Sequence, residues 1–358
     1  MYLKKIIFSL KKTYIFFFAT VLFLNFTTLN TKSSIFKVDN IEISEPFELN
    51  FKKDTVIDKA FIEAFAQLSK MIVLSNQSKK LKNTKISEIK NLIDSFNIKN
   101  EKFIQNSYIA NFEVNFNKQN TLLFFEKKNI FPSIPRKKNI LIFPIFIDLD
   151  LQTVNLFNQN PFFNEWILKK KNYHLLNYIL PNEDIEDTQI FNNNIELIEE
   201  YNFDTIVKKY DLEDYIILII YQNQNQINVL SKLQLKNNYK IFNNIYKDLD
   251  LSDDESISKL IFDLKNLYED EWKKLNLINT SIQLPITLSL LSKDYDKINL
   301  FEKTLEDLDL VSNFMILSFN NKDIFYKVIY NGSPDKFFNE IEASGLNLEK
   351  NDQTWQIK

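Results

Sequence analysis

The sequence predicts mixed α+β and α/β architecture: three small domains in series behind a short export segment. Three observations predict it. A chain of 358 residues exceeds what one small core organises, on a scale of roughly 100–200 residues per domain. Its 45% hydrophobic content, with 33 Phe and 15 Tyr, supplies ample apolar surface and excludes a disordered chain. Strand-like alternation and helix-like spacing also recur in three blocks separated by proline, glycine and basic punctuation. The divisions fall at 1–33, 34–131, 139–277 and 280–358.

The first segment reads as an address. Lys4, Lys5, Lys11 and Lys12 precede the thirteen-residue uncharged run Tyr14–Phe26, the order of a positive n-region followed by an apolar h-region. A spanning helix wants about 20 predominantly apolar residues, so a signal peptide fits better than a permanent anchor. Thr31-Lys32-Ser33 is the best small-x-small cleavage site and would release a chain beginning at Ser34. Left uncleaved, residues 1–33 would be an inner-membrane anchor and the only membrane contact. Either way the expected location of the remainder is the periplasm.

In block 34–131, the alternation over Ile35–Ile43 predicts a strand, and Pro46 with Asp54 punctuates before a helix beginning near Thr55. Ile57, Phe61, Phe65 and Leu68 give that helix its apolar stripe, while Ala60, Ala64 and Ala66 admit a close partner. A second helix is expected over Ile86–Phe96, a hairpin over Ile98–Phe116 and a third helix over Thr121–Lys128. Pro132, Pro135 and Arg136-Lys137-Lys138 read as a linker.

Block 139–277 opens with the apolar run Ile140–Ile147, the pattern of a strand buried on both faces. Asn160-Pro161 is expected to start a helix bearing Trp166, with Phe162, Phe163 and Trp166 as one core-facing stripe. A helix around Ile195–Tyr210 then leads to strands at Tyr215–Tyr221, Ile227–Leu235 and Tyr239–Ile245, and a long helix, Glu255–Leu275, closes the block. Alternating strands and helices imply an α/β layer with helices on both faces.

Block 280–358 reads as strand Ser281–Leu288, helix Asp296–Leu308, strands Leu310–Phe319 and Asp323–Tyr330 around an Asn320-Asn321-Lys322 turn, helix Pro334–Ala343 and strand Leu346–Ile357. This β-α-β-β-α-β order is ferredoxin-like. Gly332 and Gly345, the chain's two glycines, bracket the last helix, which points to backbone geometry rather than ligand contact.

Composition excludes several chemistries. With no Cys there are no disulfides, thiolate nucleophiles or Cys-ligated metals, and no lipidated Cys. Removing residues 1–33, which hold five lysines and no acid, takes the net charge from −3 to −8, opposite to a nucleic-acid binder. G-x-G-x-x-G, the P-loop and G-x-S-x-G are all missing. Asp148-Leu149-Asp150, directly after a buried strand, could hold magnesium with one carboxylate as nucleophile, but Gln152 stands where such a site wants Thr or Val. His174, the only His, reads as a hydrogen-bonded strand residue rather than a ligand or base. Asp253-Asp254-Glu255 reads as helix capping and Glu269-Asp270-Glu271 as a solvated face, rather than calcium sites. No catalytic, cofactor-binding or metal residue is therefore assigned, and no cofactor is predicted.

Several segments resemble the bacterial envelope proteins grouped as domain of unknown function 2066. They are Ala60–Leu68, Phe96–Lys102, Tyr108–Asn117, Leu141-Ile142-Phe143-Pro144, Asn160–Trp166, and Gly345-Leu346-Asn347-Leu348 with Trp355. The family commonly has Gly after the first helix, where this chain has Met71-Ile72-Val73-Leu74. The resemblance implies export and architecture, and transfers no catalytic residue. The resulting expectation is a non-enzymatic binding or scaffold module, with envelope proteins or peptidoglycan-associated molecules as partners. A metal-dependent hydrolase or phosphatase using Asp148 and Asp150 is the competing class.

Overall fold

Each of the three blocks carries one sheet in the computed structural model, which describes residues 36–358 apart from 169, 225, 252, 352 and 353. The expected export segment, 1–33, lies outside the described residues.

The first sheet has the antiparallel order β1-β3-β2, from β1 (Lys37–Pro46), β2 (Ile93–Ile104) and β3 (Ser107–Phe116). Every second residue of β3, from Tyr108 through Ala110, Phe112 and Val114 to Phe116, is buried, as a strand with one face on a core requires. Helix α1 (Lys53–Ile72) contributes Val56, Ala60, Phe61, Ala64, Phe65 and Leu68 to the same core. The expected helix Ile86–Phe96 stops early: α2 spans only Ile86–Lys90, and Ile93 already pairs with Phe116 in the sheet. Cross-strand pairing along β3 outweighs the weak helical pattern of Asp94–Phe96. Helix α3 (Lys118–Lys127) starts earlier than Thr121, because the Asn117 side chain accepts from the Asn120 N–H at 2.9 Å and caps it.

The segment expected as a linker is instead fastened down. Pro132, Ser133 and Ile134 are buried. Ser133 N donates to Ile72 O at 2.7 Å, Ile134 N to Asn276 O at 2.9 Å, and the Trp272 indole N–H to Arg136 O at 2.7 Å. Prolines hold the chain extended, and the free donors around them find partners on two neighbouring elements.

The second sheet runs β5-β4-β7-β8-β9, from β4 (Lys138–Asp148), β5 (Thr153–Asn155), β7 (Tyr215–Asn223), β8 (Gln226–Leu235) and β9 (Asn238–Lys247), with β6 (Leu176–Ile179) also paired to β4. Strand β4 is parallel to β6 and β7; β7, β8 and β9 are antiparallel. The strand period of two separates its faces. Ile140, Ile142, Ile216, Leu218 and Ile220 share a core with Leu260, Leu264 and Tyr268 of the long helix α7 (Asp254–Lys274). Leu141, Phe143, Ile145, Ile217 and Ile219 face the other way, toward Phe191, Phe203, Ile206 and Val207. Helices thus cover both faces, and so both registers of the apolar runs are buried.

Three local expectations in this block change. The helix at Asn160 shrinks to α4 (Glu165–Leu168), because the buried Asn160 side chain accepts from Phe162 N and donates to Pro144 O, holding a turn. That turn sends Phe162 and Trp166 to one core and Phe163 to the other, so the three are not one stripe. The expected helix Ile195–Tyr210 is broken into a 3₁₀ turn, Ile195–Leu197, and α6 (Asp204–Lys208), preceded by α5 (Ile185–Asn193). Asp184 and Asn202 accept from N–H groups two residues on and restart the chain at each point.

The third sheet has the order β11-β12-β10-β14-β13. It comprises β10 (Leu284–Leu291), β11 (Val311–Phe319), β12 (Asp323–Tyr330), β13 (Leu348–Asn351) and β14 (Thr354–Ile357), with α8 (Tyr295–Asp307) and α9 (Pro334–Ala343) between them. Strands β10 and β14 are parallel and the other pairs antiparallel. The single closing strand expected over Leu346–Ile357 is a hairpin, folded where Asn351 pairs with Thr354. Gly345 ends α9 with φ +84° and so serves backbone geometry, whereas Gly332 makes room for a side chain, since a Cβ there would lie 2.6 Å from Tyr330 Cε1.

One hydrophobic cluster connects all three sheets, and Ile35–Lys358 forms one compact unit. Among the described residues, no helix is long and apolar enough to cross a membrane.

Candidate functional site

The acidic candidates from the sequence are taken up by the fold. Asp148 Oδ1 accepts from the N–H groups of Asp150 and Leu151, both at 2.9 Å, and closes the turn after β4. Asp150 Oδ2 accepts from Gln224 N at 3.2 Å, tying that turn to the end of β7. Asp253 caps α7 by accepting from Glu255 N and Ser256 N. Among the described residues, no group of three or more His, Asp or Glu is placed to hold a metal ion.

The 269–271 cluster overturns the solvated-face expectation. Glu269 and Glu271 are each only 4% exposed. Glu271 pairs with Lys240 and Lys274, and Asp270 accepts from Ser75 N at 3.1 Å. Leu264, Tyr268 and Trp272 form the apolar stripe of α7, and Glu269 and Lys273 sit one position beyond its last two members. At about 100° per residue that offset leaves them beside the buried face, not opposite it.

Glu269 and Lys273 line a cavity of about 490 Å³. Its walls come from two long helices and three shorter segments. Helix α1 supplies Ile62, Phe65, Ala66, Ser69 and Lys70, at helical spacing along one side. Helix α7 supplies Phe262, Asn266, Glu269 and Lys273, again on one face. Leu81 from a 3₁₀ helix after α1, Ser75–Leu81, Ile89 from α2, and the loop residues Tyr173 and His174 close it. Of the three small residues expected to admit a partner, Ala60 and Ala64 are buried in the core, and Ala66 opens onto the cavity.

His174 differs from its expected place. It lies in the loop before β6, outside any strand, and is 6% exposed. Its Nδ1 accepts from Lys171 N at 3.3 Å, which assigns the neutral ring's proton to Nε2. Nε2 is buried without a hydrogen-bond partner, and so is the Ser69 hydroxyl. Two buried polar groups left unsatisfied beside one cavity are costly to maintain, at roughly 1–3 kcal/mol each.

Electrostatics around the cavity are set by burial. The imidazole of His174 is held down to about 4, first by desolvation and then by Lys265, Lys273, Lys171 and Lys170. Burial pushes Glu269 up to about 7, even though Leu175 N and Leu176 N donate to its two oxygens at 3.0 Å. Lys265, 1% exposed, donates to Trp166 O at 2.5 Å and is drawn down to about 8 by burial. Lys273 is lowered for the same reason; it donates to Val73 O at 3.1 Å and faces Asp270. Shifted titrations grouped at one concave place make it the candidate site.

No protein-family model matches this chain, and no curated protein matches it either.

Proposed function

We propose that this chain is an exported, non-enzymatic binding module of the bacterial envelope, and that it takes a small apolar guest in the cavity between α1 and α7. One observation carries the reading: a cavity of about 490 Å³ with a mainly apolar surface, whose lining includes Ser69 and His174, each holding a buried polar atom without a partner. Small-molecule sites commonly enclose roughly 300–1,000 Å³, with apolar walls and a handful of orienting polar groups. The lysine-rich n-region and apolar run before Ser34 support export to the periplasm, by cleavage or as an inner-membrane anchor. The segments resembling domain of unknown function 2066 support membership of that envelope family, and one of them, Ala60–Leu68, supplies part of the α1 wall. Partners of the module are envelope proteins or peptidoglycan-associated molecules.

The reading also divides the chain into modules at 34–131, 139–277 and 280–358, because each holds its own sheet. For the last, the order β11-β12-β10 and a β13 that runs antiparallel to β10 after α9 support a ferredoxin-like module, with β14 inserted parallel to β10 where the motif's last strand would pair antiparallel.

The test is saturable binding of the neutral fluorophore N-phenyl-1-naphthylamine to the full chain, compared with Ala66→Trp, which fills the cavity. Affinity should drop about tenfold or more in the variant, the scale of losing one buried apolar contact area. Equal binding by both, with an unchanged far-UV spectrum, refutes the cavity as the site. Amino-terminal sequencing of protein from a periplasmic fraction tests export, and recovery only from the cytoplasm refutes it.

A further inference from the structure

The cavity is polarised along its length. The carboxy-terminal ends of α1 and α7 are pinned together by Lys273 Nζ to Val73 O and by Ser75 N to Asp270. At that end lie Ser69, Lys70, His174, Glu269 and Lys273. One to three turns earlier on the same helices, the lining is Ile62, Phe65, Ala66 and Phe262. From Ile62 to Val73 is about 16 Å of helix, at 1.5 Å per residue. The two helical walls, α1 and α7, therefore grade from an apolar end to a polar end.

The polar end offers donors. His174 Nε2–H is a buried donor with no acceptor, and the Ser69 hydroxyl lacks a partner beside it. The surrounding charge is mainly positive: Lys70, Lys273 and Lys265, with Lys170 and Lys171 in the loop near His174, against Glu269 and Asp270. Both carboxylates are already engaged, Glu269 by Leu175 N and Leu176 N, and Asp270 by Ser75 and Lys273. What is missing there is an acceptor with negative charge.

Resting on the cavity reading, we infer that the guest is a single-chain amphiphile with an anionic oxygen head. The head sits against His174, Ser69 and Lys273, and the tail runs along Ile62, Phe65 and Phe262. A carboxylate accepts from two donors through its two oxygens and is attracted by the lysines, while an uncharged alcohol of the same length offers one oxygen and no charge. Fatty acids and alkyl phosphates share this chemistry.

The experiment is photolabelling of the full chain with a diazirine-bearing dodecanoate, with dodecanoate, dodecyl phosphate and dodecanol as competitors and the labelled peptides identified by mass spectrometry. Label is expected on the peptides carrying Phe65 and Phe262, displaced about tenfold better by the anions than by dodecanol, the scale of one charge-assisted hydrogen bond. The better of the two anions separates a carboxylate head from a phosphate head. His174→Phe should sharply reduce the preference for anions, whereas His174→Gln, which retains an N–H donor, should keep it; Ser69→Ala, which removes only the hydroxyl, should weaken it. Equal displacement by dodecanol overturns the anionic head and leaves the apolar cavity standing. Label that spares both helices overturns the placement, and whether the cavity reading falls with it is decided by the neutral fluorophore and Ala66→Trp.

Discussion

His174 is the only histidine in the chain, so its ionisation can be followed without assignment. The ring is 6% exposed, accepts at Nδ1 from Lys171 N, and is surrounded by lysines, all of which favour the neutral form. Its folded pKa of about 4 lies below the ordinary 6.5. A depressed pKa contributes stability that is fully present above about pH 6.5 and is lost as pH falls toward 4, because the unfolded chain takes up the proton first. At about 1.4 kcal/mol per unit, the shift corresponds to about 3 kcal/mol. Two measurements check this. The imidazole Cε1–H resonance should titrate near pH 4 in the folded protein. The difference in urea unfolding free energy between wild type and His174→Asn should shrink by about 3 kcal/mol from pH 7 to pH 4, packing losses being independent of pH. A titration midpoint at or above 6.5, with a constant difference between the two chains, would refute the argument.

Further outcomes follow from the same geometry. Glu269 has the opposite sign: its pKa is raised to about 7, so its burial costs nothing below about pH 4.5 and destabilises progressively as pH rises through 7. Glu269→Gln should therefore flatten the stability profile between pH 4.5 and 7 by about 3 kcal/mol, read from denaturant midpoints. It also deprives either Leu175 N or Leu176 N of its acceptor, a loss that does not vary with pH. Gly332→Ala, whose Cβ would meet the Tyr330 ring at 2.6 Å, should lower stability by about 1–3 kcal/mol in thermal melts. Gly345→Ala, strained at φ +84° but with open space around it, should cost only about 1 kcal/mol. For the competing hydrolase class, magnesium heat in calorimetry that disappears in an Asp148→Asn, Asp150→Asn double variant would overturn the non-enzymatic reading; the expected result is no such heat in either chain.

Much of the fold can be read from local chemistry. Strand β4 is legible because Ile140–Ile147 is apolar in both registers, and it is buried on both faces. Helix α9 is legible to the residue, since Ser333 accepts from Lys336 N at its start, Pro334 follows, and Gly345 lies just past its end. These signals act within one turn or one strand, so no distant partner is needed to interpret them.

The rest depended on neighbours far along the chain. Phe96 belongs to a strand and not a helix because β3 stands ready to pair with it. The proline segment 132–135 is fixed and not free because Ile72 and Asn276 supply acceptors from other elements. The cavity was the least legible feature. Ser69, His174, Glu269 and Lys273 are unremarkable as residues in sequence, and what singles them out is burial imposed by helices about two hundred residues apart. The sequence by itself determined the strand and helix periods, the caps and the exclusion of cysteine, P-loop and nucleophile-elbow chemistry. Only the tertiary structure decided which polar groups lost water, because desolvation is a property of everything packed around a group and not of the residue itself.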